Sequence, residues 1–158
     1  MANRKTHHRE GNEEVVIVLG SGDLSGKGSG FLAKTIQESL QNLGVDIPDK
    51  MQAVFDEIGA EAVRMLRESS PKNPKGKHAG RYAKGWRYEK GKRTKNFKCS
   101  GVIRNATDPQ LTHLLEYGHP IVRDGRVVGN AEAKPHIGEV AEWCADVLDN
   151  KLIDTLGG

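Results

Sequence analysis

Apolar side chains recur along this chain with two periods, and the changes of period mark out its elements. Glu14 to Leu19 is a β-branched run that predicts a strand. The glycine-rich stretch from Gly20 to Gly30 ends it and predicts a flexible loop. From Phe31 the spacing turns helical: Leu32, Ile36, Leu40 and Leu43 share a face, and Gly44 supplies a stop. A second helix opens near Pro48, since proline is favoured in a first turn. Its Met51, Val54, Phe55, Ile58, Ala62, Met65 and Leu66 form one stripe that reads as core. Ser69-Ser70-Pro71 ends this helix, because proline disfavours a helical residue before it.

After a Pro, Gly and Lys loop, Arg81 to Lys90 and Phe97 to Asn105 predict a twisted antiparallel hairpin turning around Gly91 to Asn96. Tyr82, Trp86 and Tyr88 would lie on one of its faces. Pro109 opens a short helix carrying Leu111, Leu114 and Leu115, and Gly118 ends it. His119 to Asn130 reads as a loop with a turn at Gly125 and a short strand at Arg126 to Val128. A last helix runs from about Pro135 to Leu156, burying Ile137, Val140, Ala141, Cys144, Val147, Leu148 and Leu152. The expected fold class is α+β: a small antiparallel sheet with a projecting basic hairpin, packed against two or three helices including the long C-terminal one. Residues 1–13 are polar and aperiodic and are expected to form a mobile arm. Residues 14–156 form a single domain, with the Gly-rich loop at 20–30 and the basic loop and hairpin at 72–98.

Length agrees, since 158 residues fit one domain. With 36% hydrophobic and 28% charged residues the chain has a modest core and a polar surface, which excludes disorder throughout. The longest apolar run is Val15 to Leu19, far short of the roughly 18 residues of a spanning helix, so no membrane contact is expected. The start lacks an apolar leader, and Cys99 and Cys144 make neither a disulfide framework nor a C-x-x-C pair, so a reducing cytoplasm is the expected site of synthesis. The net charge is only +3, but residues 72–98 hold eleven cations against Glu89 alone. That local +10 leaves about −7 for the rest of the chain.

Catalytic patterns fail one after another. A P-loop would need glycine where Ser21 stands and a hydroxyl where Gly28 stands. Gly20-Ser21-Gly22 is followed by Ser25, which breaks the dinucleotide fingerprint. His113, Glu116, His119 and His136 are the right residue types for zinc, but H-E-x-x-H is absent and His119 lies past the Gly118 break. His7 and His8 form a lone pair on the polar arm. Cys144 lies on an apolar helix face and reads as a buried, inert thiol. No catalytic, cofactor-binding or metal residue is assigned. The cations Arg81, Lys84, Arg87, Lys90, Lys92, Arg93, Lys95 and Lys98, interleaved with Tyr82, Trp86, Tyr88 and Phe97, allow a nucleic-acid surface of phosphate and stacking contacts. They equally allow core rings on a strand that lysines keep soluble.

Four stretches together resemble one family: Ser70-Pro71, then Gly80-Arg81-Tyr82-Ala83-Lys84-Gly85-Trp86, then Leu111-Thr112-His113-Leu114-Leu115-Glu116-Tyr117-Gly118-His119, then Ala133-Lys134-Pro135-His136-Ile137. Their order and spacing are similar to the tail-completion or neck proteins of long-tailed bacteriophages, over roughly residues 14–150. The resemblance implies a non-enzymatic virion protein of the neck, assembled in the host cytoplasm as a homo-oligomeric ring, commonly a hexamer. It also implies the partners: the head connector or head-closure protein, the tail terminator or tail tube, and DNA passing through the lumen. Leu115, Glu116, Tyr117, Gly118 and His119 with Pro135 and His136 are expected to form a structural or interface corner, built on a sharp turn at Gly118. The basic hairpin would contact DNA or a neighbouring protein. A nucleic-acid-binding module using residues 72–98 is the alternative.

Overall fold

A computed structural model describes residues 2–9, 12–20, 47–72, 78–91 and 100–156. In chain order the elements are β1 (Ala2–Arg9), β2 (Asn12–Gly20), α1 (Ile47–Ser69), α2 (Arg81–Lys84), β3 (Trp86–Lys90), β4 (Ser100–Asn105), α3 (Gln110–Tyr117), β5 (His119–Arg123), β6 (Arg126–Ala131) and α4 (Ile137–Leu156). The expected α+β class holds. Four strands form an antiparallel sheet in the order β1, β2, β4, β3, and β5 with β6 forms a separate two-stranded sheet. The Gly-rich loop, the expected helix at 31–43, Cys99 and the tip of the basic hairpin lie outside the described residues.

Pairing register explains how the sheet faces its core. Ile103 lies opposite Ile17 of β2 and opposite Tyr88 of β3, so one row of side chains crosses three strands. Val15, Ile17 and Leu19 alternate onto this face and are fully buried. The stripes of α1 and α4 pack on one another and close the core, with Phe55, Ile58, Leu66, Ile137, Cys144 and Leu148 at its centre. Burying each such side chain contributes about 1.5–3 kcal/mol. Gly59 of α1 is where helix meets sheet most closely: a Cβ there would overlap the Tyr88 ring. On its outer side α1 carries Arg64 between Glu61 and Glu68, each 2.6 Å away, an exposed ladder that solvent screens and that adds little to stability.

Three readings from periodicity change. The expected mobile arm is an edge strand: β1 pairs with β2 from Ala2↔Leu19 to Arg9↔Asn12, and backbone hydrogen bonds order a segment whose polar side chains have little to bury. The first expected hairpin strand begins instead with the helical turn α2, entered through Gly80 at φ 68°, so Tyr82 belongs to a turn and only Trp86 onward to a strand. The expected loop at 119–130 is a second hairpin, with Asp124 and Gly125 at φ 47° and 73° turning it. No helix among the described residues is long and apolar enough to cross a membrane.

Candidate functional site

The corner is built from the last turn of α3. Within that helix the fully buried side chains are not its leucines but Thr112 and Glu116, one turn apart. The Thr112 hydroxyl accepts the backbone N–H of Val15 at 2.7 Å and donates to the Pro109 carbonyl at 2.6 Å, tying α3 to β2. Glu116 faces the start of α4. Its Oε2 accepts N–H groups from His136 at 2.9 Å and Ile137 at 3.0 Å, and its Oε1 accepts that of Gly138 at 2.9 Å. A helix leaves its first N–H groups without intrahelical partners and carries partial positive charge at that end. One buried carboxylate from another helix meets both needs. Burial alone would push the Glu116 carboxyl upward, but the three backbone donors outweigh it and hold the group below the usual carboxylate range.

Around this carboxylate the neighbouring residues close the turn. Gly118 has φ 74° and ψ 174°, a region open essentially to glycine alone, and a Cβ there would lie 2.6 Å from the Ala131 carbonyl oxygen. The positive φ anticipated at this position is present, with an extended ψ rather than a left-handed helical one. Leu115 offers its carbonyl to Lys134 N–H at 2.6 Å, which fastens the chain leaving β6. His119 opens β5 opposite Ala131, Pro135 is exposed, and Tyr117 is 47% exposed with its ring 4.9 Å from that of His113.

His136 links the corner to the basic segment. Its Nδ1 lies 2.7 Å from the Lys134 carbonyl, which can only accept, so Nδ1 carries the hydrogen and Nε2 accepts from the Tyr82 hydroxyl at 2.9 Å. The rings of Tyr82, Trp86 and His136 meet edge to face, with centroids 5.7 to 6.2 Å apart. Trp86 is completely buried and donates its indole N–H to the Ser70 hydroxyl at 2.8 Å. Asn105, equally buried, donates to the Tyr82 carbonyl at 2.8 Å and accepts the N–H groups of Thr107 and Asp108. Every arm of this polar network is internally satisfied, which makes it a rigid joint between α2, α4 and the end of β4.

The chemistry suggested by residue type alone is spent on structure. Glu116 and His136 are committed to the helix start and to Tyr82, and among the described residues no group of three or more His, Cys, Asp or Glu is placed to hold a metal. Burial pushes the Cys144 thiol up to about 12, away from thiolate reactivity. Of the basic set, Arg81 pairs with Asp108 at 3.1 Å, Lys90 pairs with Asp56 at 2.9 Å, and Arg87 donates to the carbonyls of Lys84 and Trp86. Lys84 is exposed. Lys92, Arg93, Lys95 and Lys98 lie outside the described residues. The three described rings form no stacking platform either: Trp86 and Tyr82 are buried, and Tyr88 sits against α1 with its hydroxyl donating to Asp56 at 2.9 Å, while Phe97 lies outside the described residues.

Residue reading missed two features. One is the use of Thr112 and Glu116 as the inward face of α3; no spacing rule marks a carboxylate that caps another helix. The other is β5: the turn at Gly125 and the strand from Arg126 are as expected, but His119 to Arg123, expected as loop, pairs with that strand. No curated protein and no solved structure matches the chain. The family model described as "Bacteriophage HK97-gp10, putative tail-component" matches residues 34–118, more than half of the 158-residue chain. The match is narrower than the 14–150 span of the resemblance and ends at Gly118, so it contains α1 through α3 and leaves β5, β6 and α4 outside. The chain belongs to the HK97-gp10-like family of bacteriophage tail components and is a structural, tail-associated phage protein.

Proposed function

We propose that this tail component is a structural protein of the phage neck, which assembles as a ring, sixfold as the resemblance implies, between the head connector and the tail and lets DNA pass through its lumen. The family match across residues 34–118 carries this reading, because a tail component works in contact with other virion parts. The described geometry supports it. Buried polar groups in the corner serve rigidity, and the exposed apolar side chains Tyr117, Ile121, Val122, Val127 and Val128 cluster on and beside one hairpin. A rigid body with an exposed apolar projection suits an assembly subunit.

In this reading the 72–98 segment meets a neighbouring protein in preference to DNA. Arg81 and Lys90 are already neutralised within the chain, and tight phosphate binding would hinder the passage of DNA. The test is to make particles without the protein and with Lys92, Arg93, Lys95 and Lys98 replaced by serine. Tailless filled heads in the first case, and a joining defect in the second, are the expected outcomes by electron microscopy. Normal infectious particles lacking the protein would overturn the neck assignment, and a normal yield from the serine variant would remove the basic segment from it.

A further inference from the structure

Among the described residues two exposed surfaces are left without partners, and they differ in charge. The first is the β5–β6 hairpin, which pairs with no other strand among the described residues. Ile121 is 39% exposed and Val122, Val127 and Val128 are 56 to 66% exposed, although a two-stranded ribbon is at best marginal in water on its own. A register shift after Ile121 leaves Val128 without a cross-strand partner and re-aims its side chain. At the tip Arg123 and Arg126 lie directly opposite one another, an arrangement of like charges that destabilises a ladder unless an anion joins it. Neither forms an ion pair with a described residue.

The second surface is the outer side of α4. Glu139, Glu142, Asp146 and Asp149 are exposed on one helical face, and Asp154 is exposed at the edge of that face. None of them is paired with a described residue, whereas Lys151 on the same helix is taken by Glu57. Ile153 sits between the last two of these carboxylates along the chain and is 69% exposed. A basic apolar ribbon and an acidic apolar helix face therefore stand on one molecule, and among the described residues no ion pair joins them.

We propose that the β5–β6 hairpin of one copy docks on the outer face of α4 in the next copy, with Val122, Val127 and Val128 on Ile153 and its surroundings, and Arg123 and Arg126 among the carboxylates. This rests on the ring reading and names its contact. The two surfaces are different patches of the same chain, so the contact is head to tail and repeats until a ring closes. Apolar groups at the centre with complementary charges at the rim match the anatomy of specific interfaces.

The full-length protein carries the test. Arg123→Glu with Arg126→Glu reverses the ribbon, and Asp149→Lys with Asp154→Lys reverses the helix face. Both pairs are exposed, so circular dichroism and thermal melts should match wild type. Native mass and light scattering should show an oligomer for wild type and, for each variant alone, association weakened by about 100-fold or more. An equimolar mixture of the two variants should reassemble, because each reversed surface then meets its complement on the other protein. Wild-type-like oligomers from either variant alone, or no rescue on mixing, would overturn the assigned contact while leaving the ring reading intact. A wild-type chain that stays monomeric at every concentration would remove both.

Discussion

Glu116→Gln is the most direct measure of what the buried corner contributes. The side chain keeps its shape, but an amide has only one oxygen, whereas the carboxylate uses both to receive three backbone N–H groups. Whichever way the amide is turned, at least one N–H at the start of α4 faces an NH2 group. Hydrogen bonds to a charged acceptor contribute about 1.5–3 kcal/mol each, and neutral ones about half that, so losing one and weakening the rest amounts to roughly 2–4 kcal/mol. Against a native stability of about 5–15 kcal/mol the variant still folds. For a chain of this size the melting temperature should fall by roughly 5–12 °C near neutral pH, measured by calorimetry.

The pH dependence separates the charge from mere packing. The folded carboxyl sits below the usual range, so its contribution is fully present above the unfolded value of about 4.3 and is lost as pH falls through the lower folded value. Wild type should therefore lose stability in acid more steeply than Glu116→Gln, and the two melting temperatures should converge. A gap of less than about 1 °C at neutral pH, or a gap of constant size down to the acid limit, would refute the assignment of stability to the ionised carboxylate.

Other outcomes follow from the same geometry. Gly118→Val combines a φ of 74° with a Cβ 2.6 Å from the Ala131 carbonyl oxygen, and should give mostly insoluble protein or a melting temperature lowered by well over 5 °C; soluble expression at wild-type stability would contradict it. Ser70→Ala strands the buried Trp86 indole N–H and should cost about 1–3 kcal/mol in denaturant titrations, with Ser70→Thr milder. Cys144, whose thiol burial raises to about 12, should resist alkylation in the folded protein at pH 8 and react only after denaturation, as read by peptide mass mapping.

Periodicity was sufficient for the helices because their apolar stripes are long. Val54, Phe55, Ile58, Ala62 and Leu66 of α1, and Ile137, Val140, Ala141, Cys144 and Leu148 of α4, are all buried as their spacing requires. For α3 it located the helix between Pro109 and Gly118 but not its inward face, because eight residues give little more than two turns and its three leucines are only partly buried. Two polar side chains take the inward positions there, and their stabilisation comes from N–H groups of β2 and α4, which lie distant in sequence. β1 was illegible for a related reason: an edge strand of polar residues is held by backbone pairing, which leaves no mark on side-chain pattern. Residues of the corner were recognisable as a group through Gly118 and the Leu115 to His119 block, but the role of Glu116 needed the geometry.

The last turn of α3 also determines how the two inferred contact surfaces are held relative to one another. Leu115 receives the N–H of Lys134 where the chain leaves β6, Glu116 receives the first N–H groups of α4, and Gly118 sets the direction of β5. Hairpin and helix are thus clamped at their roots by residues within four positions of each other, while their contact faces lie free. Preorganisation of this kind lowers the entropy lost on binding. It also has a geometric consequence, because in a head-to-tail assembly the angle between the two surfaces on one subunit sets the rotation to the next, and hence the number that closes. The segment matched to the phage family ends at Gly118, so it contains the residues that set this angle but neither of the surfaces they aim. Under the proposed contact, variation in β5, β6 and α4 would change what the subunit binds while the α3 corner keeps the angle between the two surfaces.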